Sequence, residues 1–179
     1  MILPLIQKRR SIRKYRKKPI EPDKLQILLE AALRSPSSMG TNPWEFLVVD
    51  DPNLLDKLSR AKPHGASFIK HAPLGIVVCA DPYKSSVWVE DASIACIFIQ
   101  LTAESLGLGS CWIQIRERMH NETKPAEVYI SEILNIPKTL KVEAMIAIGY
   151  PAEQKASHGK EDLQYGKVHH NLYGTPGKR

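Results

Sequence analysis

Three short segments of this chain combine residue types that suit a ligand with a negative charge and a flat ring. The first is the cluster RRSIR at residues 9–13, whose guanidinium groups and hydroxyl can converge on one phosphate because arginine offers paired donors. The second is the loop over 36–44, where small hydroxyl residues and an amide precede a tryptophan. The third spans 108–115, where strand backbone can present N–H groups to a heterocycle. Taken singly, the cluster is equally explained as solvated surface, and the second segment as an ordinary loop.

The positive charge of the chain is concentrated near its N-terminus. Residues 8–18 contain eight basic and no acidic side chains. The chain has 25 basic and 19 acidic residues in all, so 17 basic against 19 acidic residues are left outside this run. A basic run of this kind favours an anionic partner, which is a nucleic acid, a membrane surface or the phosphate of a small molecule.

Common catalytic motifs are missing from the sequence. It contains no GxxxxGK[ST] phosphate loop, no GxSxG elbow and no HExxH pair. Gly107 and Gly109 follow a predicted helix and precede a predicted strand, which reverses the order of a dinucleotide-binding turn, so we interpret them as a helix stop and a tight turn. His169 and His170 have no partners at metal-ligand spacing, which favours a solvated or packing role and predicts no metal site.

The length of 179 residues and the composition favour one ordinary globular domain. With 43% hydrophobic and 25% charged residues, wholesale disorder is excluded. No apolar run reaches about eighteen residues, and the apolar start is followed rather than preceded by basic residues, unlike a signal peptide. Cys79, Cys96 and Cys111 form no disulfide pattern and are expected to be buried as small apolar groups. We therefore expect a cytoplasmic protein.

The spacing of apolar residues predicts the elements that position the three segments. Helices are predicted over 3–10, 22–35, 52–61, 88–106 and 125–134, and strands over 45–50, 74–80, 109–115 and 142–149. These elements predict a single α+β (α/β layered) domain over 1–179, with a mixed central sheet of four to five strands flanked by helices. Residues 151–179 are polar and glycine-rich, so we expect a C-terminal arm that is frayed or lies along a partner subunit.

Taken in their order along the chain, the segments resemble the nitroreductase family of FMN-dependent oxidoreductases. The similarity is carried by RRSIRKY, SPSSMGTNPWEF, LGLGSCWIQI and AIGYPAE across residues 5–153, and by KVHHNLYG in the arm. Each motif is weak alone, whereas the ordered set is specific. The resemblance implies a nitroreductase-like fold and an obligate homodimer with two FMN sites at its interface, each built from both subunits, with the arm embracing the partner.

The resemblance also implies which residues bind the flavin. The N-terminal cluster binds the FMN phosphate and ribityl chain, the SPSS loop of the other subunit packs over the flavin, and the strand after GLGS reaches the ring near N5. Asn42 matches an amide near the ring edge or substrate pocket, and a basic pair after the GYP turn completes the phosphate site, although here it departs from the usual Lys-x-Arg. The implied residues are Arg9, Arg10, Ser11 and Arg13; Pro36, Ser37, Ser38 and Met39; Asn42; Trp112, Ile113 and Gln114; and His158 with Lys160.

The implied activity is hydride transfer from NADH or NADPH through bound FMN to an acceptor such as a nitroaromatic or a quinone. One site used in turn by donor and acceptor predicts ping-pong kinetics. No catalytic side chain is expected, which agrees with chemistry carried by the cofactor. The chain is short for the family, with little beyond 116–124 to wall the pocket, so we expect an open or partner-completed pocket.

Two other functions stay open at this point. A flavin store or sensor would bind FMN without turnover. A nucleic-acid binder would use the 8–18 run, with Tyr15 interleaved, but the rest of the chain is slightly acidic and carries no stacking platform.

Overall fold

The structure, a computed structural model, describes residues 1–176. The α-helices are α1 (Leu3–Lys8), α2 (Pro22–Leu33), α3 (Pro52–Leu58), α4 (Trp88–Ser105) and α5 (Ala126–Leu134), and the strands are β1 (Trp44–Val49), β2 (Leu74–Ala80), β3 (Gly109–Gln114) and β4 (Lys141–Gly149). Each predicted helix and strand is present, with its ends close to the predicted positions. No helix within residues 1–176 is long and apolar enough to cross a lipid bilayer.

The four strands form one sheet in the order β1-β2-β4-β3, and every neighbouring pair in it is antiparallel. The α+β layered architecture is therefore confirmed. The sheet is antiparallel and not mixed as predicted. Within residues 1–176, parallel pairing is limited to a single bridge between Ser11 and Ser110. That bridge joins β3 to a residue that belongs to no strand, so β1 and β3 are the two edge strands of the sheet.

A hydrophobic core covers each face of the sheet. Successive residues of a strand point to opposite faces, and in β4 Met145 and Ala147 enter one core while Ile146 and Ile148 enter the other. The first core is closed by α3 and α5, and the second by α2 and α4. All seven residues of β2 are buried, as its apolar sequence predicted.

The buried face of α4 contains several small residues. Ala92, Ala95, Cys96 and Ala103 are fully buried, which lets the helix backbone approach the sheet closely. All three cysteines are free and buried, as predicted. Burial raises the pKa of Cys79 to about 12, so this thiol stays protonated and unreactive.

Two glycines join α4 to β3. Gly107 has a φ of +73°, the left-handed conformation that ends a helix, which confirms its interpretation as a helix stop. A Cβ atom on Gly109 would lie 2.8 Å from the Cβ of Ile12. Only glycine at this position lets the N-terminal segment lie directly on the start of β3.

Residues 160–176 are exposed throughout. Their large apolar side chains have no core of their own, and they are Leu163, Tyr165, Val168, Leu172 and Tyr173. The packing of the C-terminal arm on a partner stays a prediction, and residues 177–179 lie outside the described part of the chain.

Candidate active site

An extended segment over residues 11–16 fixes the basic cluster against the end of the sheet. The Ile12 N–H donates to the Ser110 carbonyl at 3.0 Å, and the Arg16 N–H donates to the Tyr150 carbonyl at 2.8 Å. Ile12 and Tyr15 are buried, and the Tyr15 hydroxyl contacts the carbonyls of Ile12 and Ala147. Because these two side chains point inward, the basic side chains between and beside them point outward.

The chain that leaves β4 returns to this segment and adds a lysine. The Glu153 carboxylate accepts the N–H groups of Arg13 at 2.6 Å and Lys14 at 3.2 Å, which holds its pKa below the usual range. Lys155 Nζ donates to the Ser11 carbonyl at 2.6 Å, and Arg10 donates to the Ala156 carbonyl. Arg9, Arg13, Lys155 and the Ser11 hydroxyl lie near the Cys111 thiol, and Arg10 contacts the residue that follows Lys155. These four cations form one cluster, in which Lys155 also pairs with Glu153 at 3.4 Å.

Lys155 contacts the cluster, whereas the basic pair predicted to complete the phosphate site has no such contact in residues 1–176. His158 is exposed and lies 3.5 Å from Asp162 within the arm, and Lys160 is exposed as well. Neither residue has a hydrogen bond or an ion pair to the cluster in residues 1–176, so their assignment to the phosphate site stays a prediction.

The outer edge of β3 is paired with no other strand in residues 1–176, and its peptide groups point away from the sheet. The Ser110 carbonyl accepts from Ile12 and the Gln114 carbonyl accepts from Lys62 Nζ at 2.8 Å, so both point away from β4. Peptide groups alternate between the two edges of a strand, so Trp112 directs its N–H and C=O to this edge too. The cluster lies at one end of this edge and Lys62 at the other, roughly 13 Å apart along the strand.

Lys62 was missed by the sequence analysis, because it follows a short helix and belongs to no motif. It is partly buried, and burial lowers its pKa, with a contribution from the nearby Arg118. Phe68 lies on the same side, with the Arg13 guanidinium 5.7 Å above its ring. This edge therefore joins cations, N–H groups and an aromatic surface.

The side chain of Gln114 is held by three neighbours. Its Oε1 accepts from the Trp112 indole N–H at 3.0 Å, and its Nε2 donates to the Arg116 carbonyl at 3.2 Å and to Glu143 Oε1 at 3.4 Å. This arrangement fixes which end of the amide faces each partner. Ile113 points the other way, into the first core.

Glu143 is a buried carboxyl group beside this network. It occupies a bulge in β4, since Val142 and Ala144 pair with consecutive residues of β2. Its side chain is almost wholly buried, and its Oε2 has no hydrogen-bond partner in the described chain. Burial raises its pKa above the ordinary range, although the contacts with Gln114 and Arg116 act in the opposite direction.

The SPSS loop has a defined shape. The Ser37 hydroxyl donates to the Asn42 side-chain oxygen at 2.8 Å and accepts the Asn42 N–H at 2.9 Å. Met39 and Asn42 have φ values of 53° and 46°, in the left-handed region that most side chains avoid. Pro36 and Met39 are exposed, and the Met39 side chain projects wholly into solvent. The loop thus presents an apolar side chain away from its own subunit.

Asp91, which the sequence analysis overlooked as a member of an apolar helix face, anchors this loop. It is buried in the first turns of α4, accepts the Ser38 N–H at 2.8 Å and accepts the Ser85 hydroxyl at 2.7 Å. Both carboxylate oxygens are therefore satisfied, and the loop is fixed to the start of the helix.

The loop and the basic cluster do not meet within one subunit. The loop leads into Trp44 on the edge strand β1, opposite Ala80, whereas Ser110 lies on the other edge strand and pairs with Ile148, next to Leu74. They are therefore at opposite edges and opposite ends of the sheet, roughly 20 Å apart for four strands of this length.

Two aromatic residues outside the cluster and β3 have packing contacts. Trp88 packs against the second core beneath the Arg116 guanidinium, and Tyr129 stacks on His120 with ring centroids 3.8 Å apart. Tyr83, by contrast, is exposed.

Comparison with known proteins matches this chain to one family. The nitroreductase family model aligns with residues 6–62 and 59–150. The chain belongs to the nitroreductase family. The resemblance stated from its motifs is thereby confirmed, and the matched regions contain residues 9–13, the loop and β3.

Individual members of the nitroreductase family show the same fold. An FMN-dependent nitroreductase structure from Clostridium difficile is 49% identical, with a TM-score of 0.94, covering 96% of this chain and 99% of that one. A protein of Archaeoglobus fulgidus with the provisional name NADH dehydrogenase/NAD(P)H nitroreductase is 37% identical over 164 residues, 89% of this chain and 91% of that protein. An FMN reductase [NAD(P)H] of Bacillus subtilis is 29% identical over 90% of this chain and 69% of that protein.

We predict that Glu143→Gln stabilises the protein increasingly as pH rises. The folded-state pKa of Glu143 lies above its unfolded value, so the stability contributed by the neutral acid is complete below the unfolded pKa and is lost as pH rises toward the folded pKa. Glutamine stays neutral throughout. Urea unfolding between pH 4 and pH 8 should therefore show that the free energy of unfolding of the variant increases relative to that of the wild type as pH rises. The exposed Glu122→Gln is the control, and a constant difference between wild type and Glu143→Gln would contradict the prediction.

Proposed function

We propose that this nitroreductase-family protein is an FMN-dependent NAD(P)H oxidoreductase that reduces a small acceptor such as a nitroaromatic or a quinone. The observation that carries the proposal is the alignment of a four-cation cluster with the free outer edge of β3. A phosphate suits the cluster, and a flat heterocycle suits N–H groups along a strand. FMN has a phosphate at one end and such a ring at the other, so the residues fit this cofactor.

Each part of the site has a distinct task in this proposal. Bound FMN supplies the redox chemistry. The arginines and Lys155 bind its phosphate, with Ser11 beside them. The N–H groups of Trp112 and Gln114 and the Lys62 ammonium face the ring, where fixed positive potential stabilises negative charge. Donor and acceptor use the same space in turn, which gives ping-pong kinetics.

The site is completed by a second copy of the chain in this proposal. Within one subunit the SPSS loop lies roughly 20 Å from the cluster, and its exposed Met39 points away from its own fold. A loop that packs over the flavin must therefore come from the partner. Pro36, Ser37, Ser38 and Asn42 would accompany Met39, since the hydrogen bonds within the loop hold them together.

An apolar stripe on α4 supports the homodimer. Ile94, Ile97 and Phe98 are each more than a third exposed, and they lie at helical spacing on the face opposite the small buried residues. On α2, which packs against α4, Ile27 and Leu33 are exposed as well. An exposed apolar patch on one side of a helical layer is typical of a subunit interface.

The absorption spectrum of the purified protein tests the function. We expect a bound-flavin spectrum that bleaches when NADH or NADPH is added without air and returns when a quinone or nitroaromatic is supplied. A flavin that does not bleach would instead support the store or sensor. A protein that is colourless and takes up no added FMN would overturn the proposal.

We further predict that Lys155→Ala weakens FMN binding about tenfold, because it removes a charge-assisted contact at the phosphate. Lys160→Ala is the matched control, since Lys160 is exposed and has no contact with the cluster in the described chain. Fluorescence titration of the flavin-free proteins measures both dissociation constants. A larger loss of FMN affinity in Lys160→Ala than in Lys155→Ala would contradict the prediction and would support a phosphate contact by His158 and Lys160.

Mixing two inactive variants tests the shared site. Arg9→Glu disables the cluster and Met39→Glu disables the loop, while both side chains lie on the surface. A mixed dimer contains one site with both defects and one intact site. Refolding the two variants together at equal amounts should restore roughly a quarter of the wild-type flavin content and activity, as expected for random pairing in a two-fold dimer. Sites built within single subunits would leave the mixture without flavin.

A further inference from the structure

The second half of the basic run lies beyond the proposed flavin site. Residues 14–18 follow the cluster and line a cavity of about 820 Å³ at the end of the sheet. One wall is the segment 13–20, and the other is formed by residues 50–55 and 70–74. Arg13 is the residue that this cavity shares with the proposed flavin site, and no residue of β3 lines it.

The charge around the cavity is strongly one-sided. Asp50 is the acidic residue in the lining, against six lysines and arginines, which are Arg13, Lys14, Arg16, Lys17, Lys18 and Lys70. Within residues 1–176, Lys18 pairs with Glu21 at 2.9 Å, whereas the side chains of Lys14, Lys17 and Lys70 form no ion pair. Like charges held this close repel one another, and a bound anion removes that repulsion.

The interior of the cavity is apolar. Leu55 and Leu74 are buried, and the side chains of Ile20 and Leu25 are half-buried beside them. Tyr15 also lines the cavity, but its hydroxyl is already hydrogen-bonded to backbone carbonyls. The floor therefore favours an apolar or planar group, while the rim favours negative charge.

We propose that this cavity binds a phosphorylated organic anion of nucleotide size, separately from the flavin. Its volume lies within the usual range of small-molecule pockets, about 300–1,000 Å³. The phosphates contact the cations of the two walls, and the organic part covers the leucines of the floor. An inorganic anion occupies only the rim. The proposal goes beyond the proposed function and does not require it, because the cavity residues other than Arg13 belong to no other site.

Calorimetric titration of the FMN-saturated protein with adenosine 5′-diphosphate tests the proposal, with inorganic pyrophosphate and adenosine as comparison ligands. We expect one diphosphate nucleotide per chain, bound at least tenfold more tightly than pyrophosphate, with no binding of adenosine. Affinity should fall with added salt, since screening weakens exposed charge pairs. The flavin absorbance should stay unchanged, which separates this cavity from the flavin and donor sites.

Variants on opposite walls make the test specific. Lys17→Ala and Lys70→Ala should each weaken nucleotide binding about fivefold, with flavin content and NAD(P)H oxidation unchanged. Lys138→Ala is the control, because Lys138 is exposed and lies outside the lining.

Four results would overturn the proposal: no binding, equal affinity for pyrophosphate, displacement of FMN, or binding that shifts the flavin spectrum and ignores Lys17 and Lys70. Failure of flavin binding itself would appear in the absorption spectrum alone, so the two proposals can fail independently.

Discussion

The structure depends on the docking of residues 11–16 at the end of the sheet. Ile12 packs on Gly109 and Tyr15 on Gly149, both at distances that exclude a larger residue without movement, and backbone hydrogen bonds join the segment to β3 and to the chain after β4. Eight basic residues within eleven would otherwise repel one another along a flexible terminus. Burial of two apolar side chains holds them in place and divides them between two surfaces that are proposed to bind anions, the cluster beside β3 and the cavity beyond it.

The antiparallel strand order sets the second constraint. Because β1 and β3 are opposite edges of the sheet, the loop before β1 cannot approach the edge of β3 in the same subunit. The loop is nevertheless rigid, since Asp91 and the Ser37–Asn42 pair fix its shape before any partner arrives. A preformed loop loses little conformational entropy on assembly, so the fold of one subunit prepares a surface for another, and the proposed dimer follows from the same geometry as the proposed flavin site.

Two buried carboxyl groups have different environments. Asp91 satisfies both oxygens with an N–H and a hydroxyl, whereas Glu143 uses one oxygen on Gln114 and leaves the other without a partner. A buried polar group without a partner costs free energy, and burial raises the pKa of this acid, which favours its neutral form. Glu143 holds the Gln114 amide beside the strand edge that is proposed to face the flavin.

The sequence by itself determined the elements and the family. The spacing of apolar residues predicted each helix and strand, because one buried face recurs every three to four residues in a helix and every second residue in a strand. The ordered motifs were specific enough to identify the nitroreductase family. It could not determine the antiparallel pairing throughout, because pairing joins residues distant in the chain. Nor could it find Lys62, Lys155, Asp91 or Glu143, which stand in ordinary local contexts. Only the tertiary structure decided their roles, since a cation near a strand edge or an acid in a bulge gains its properties from neighbours that folding brings together.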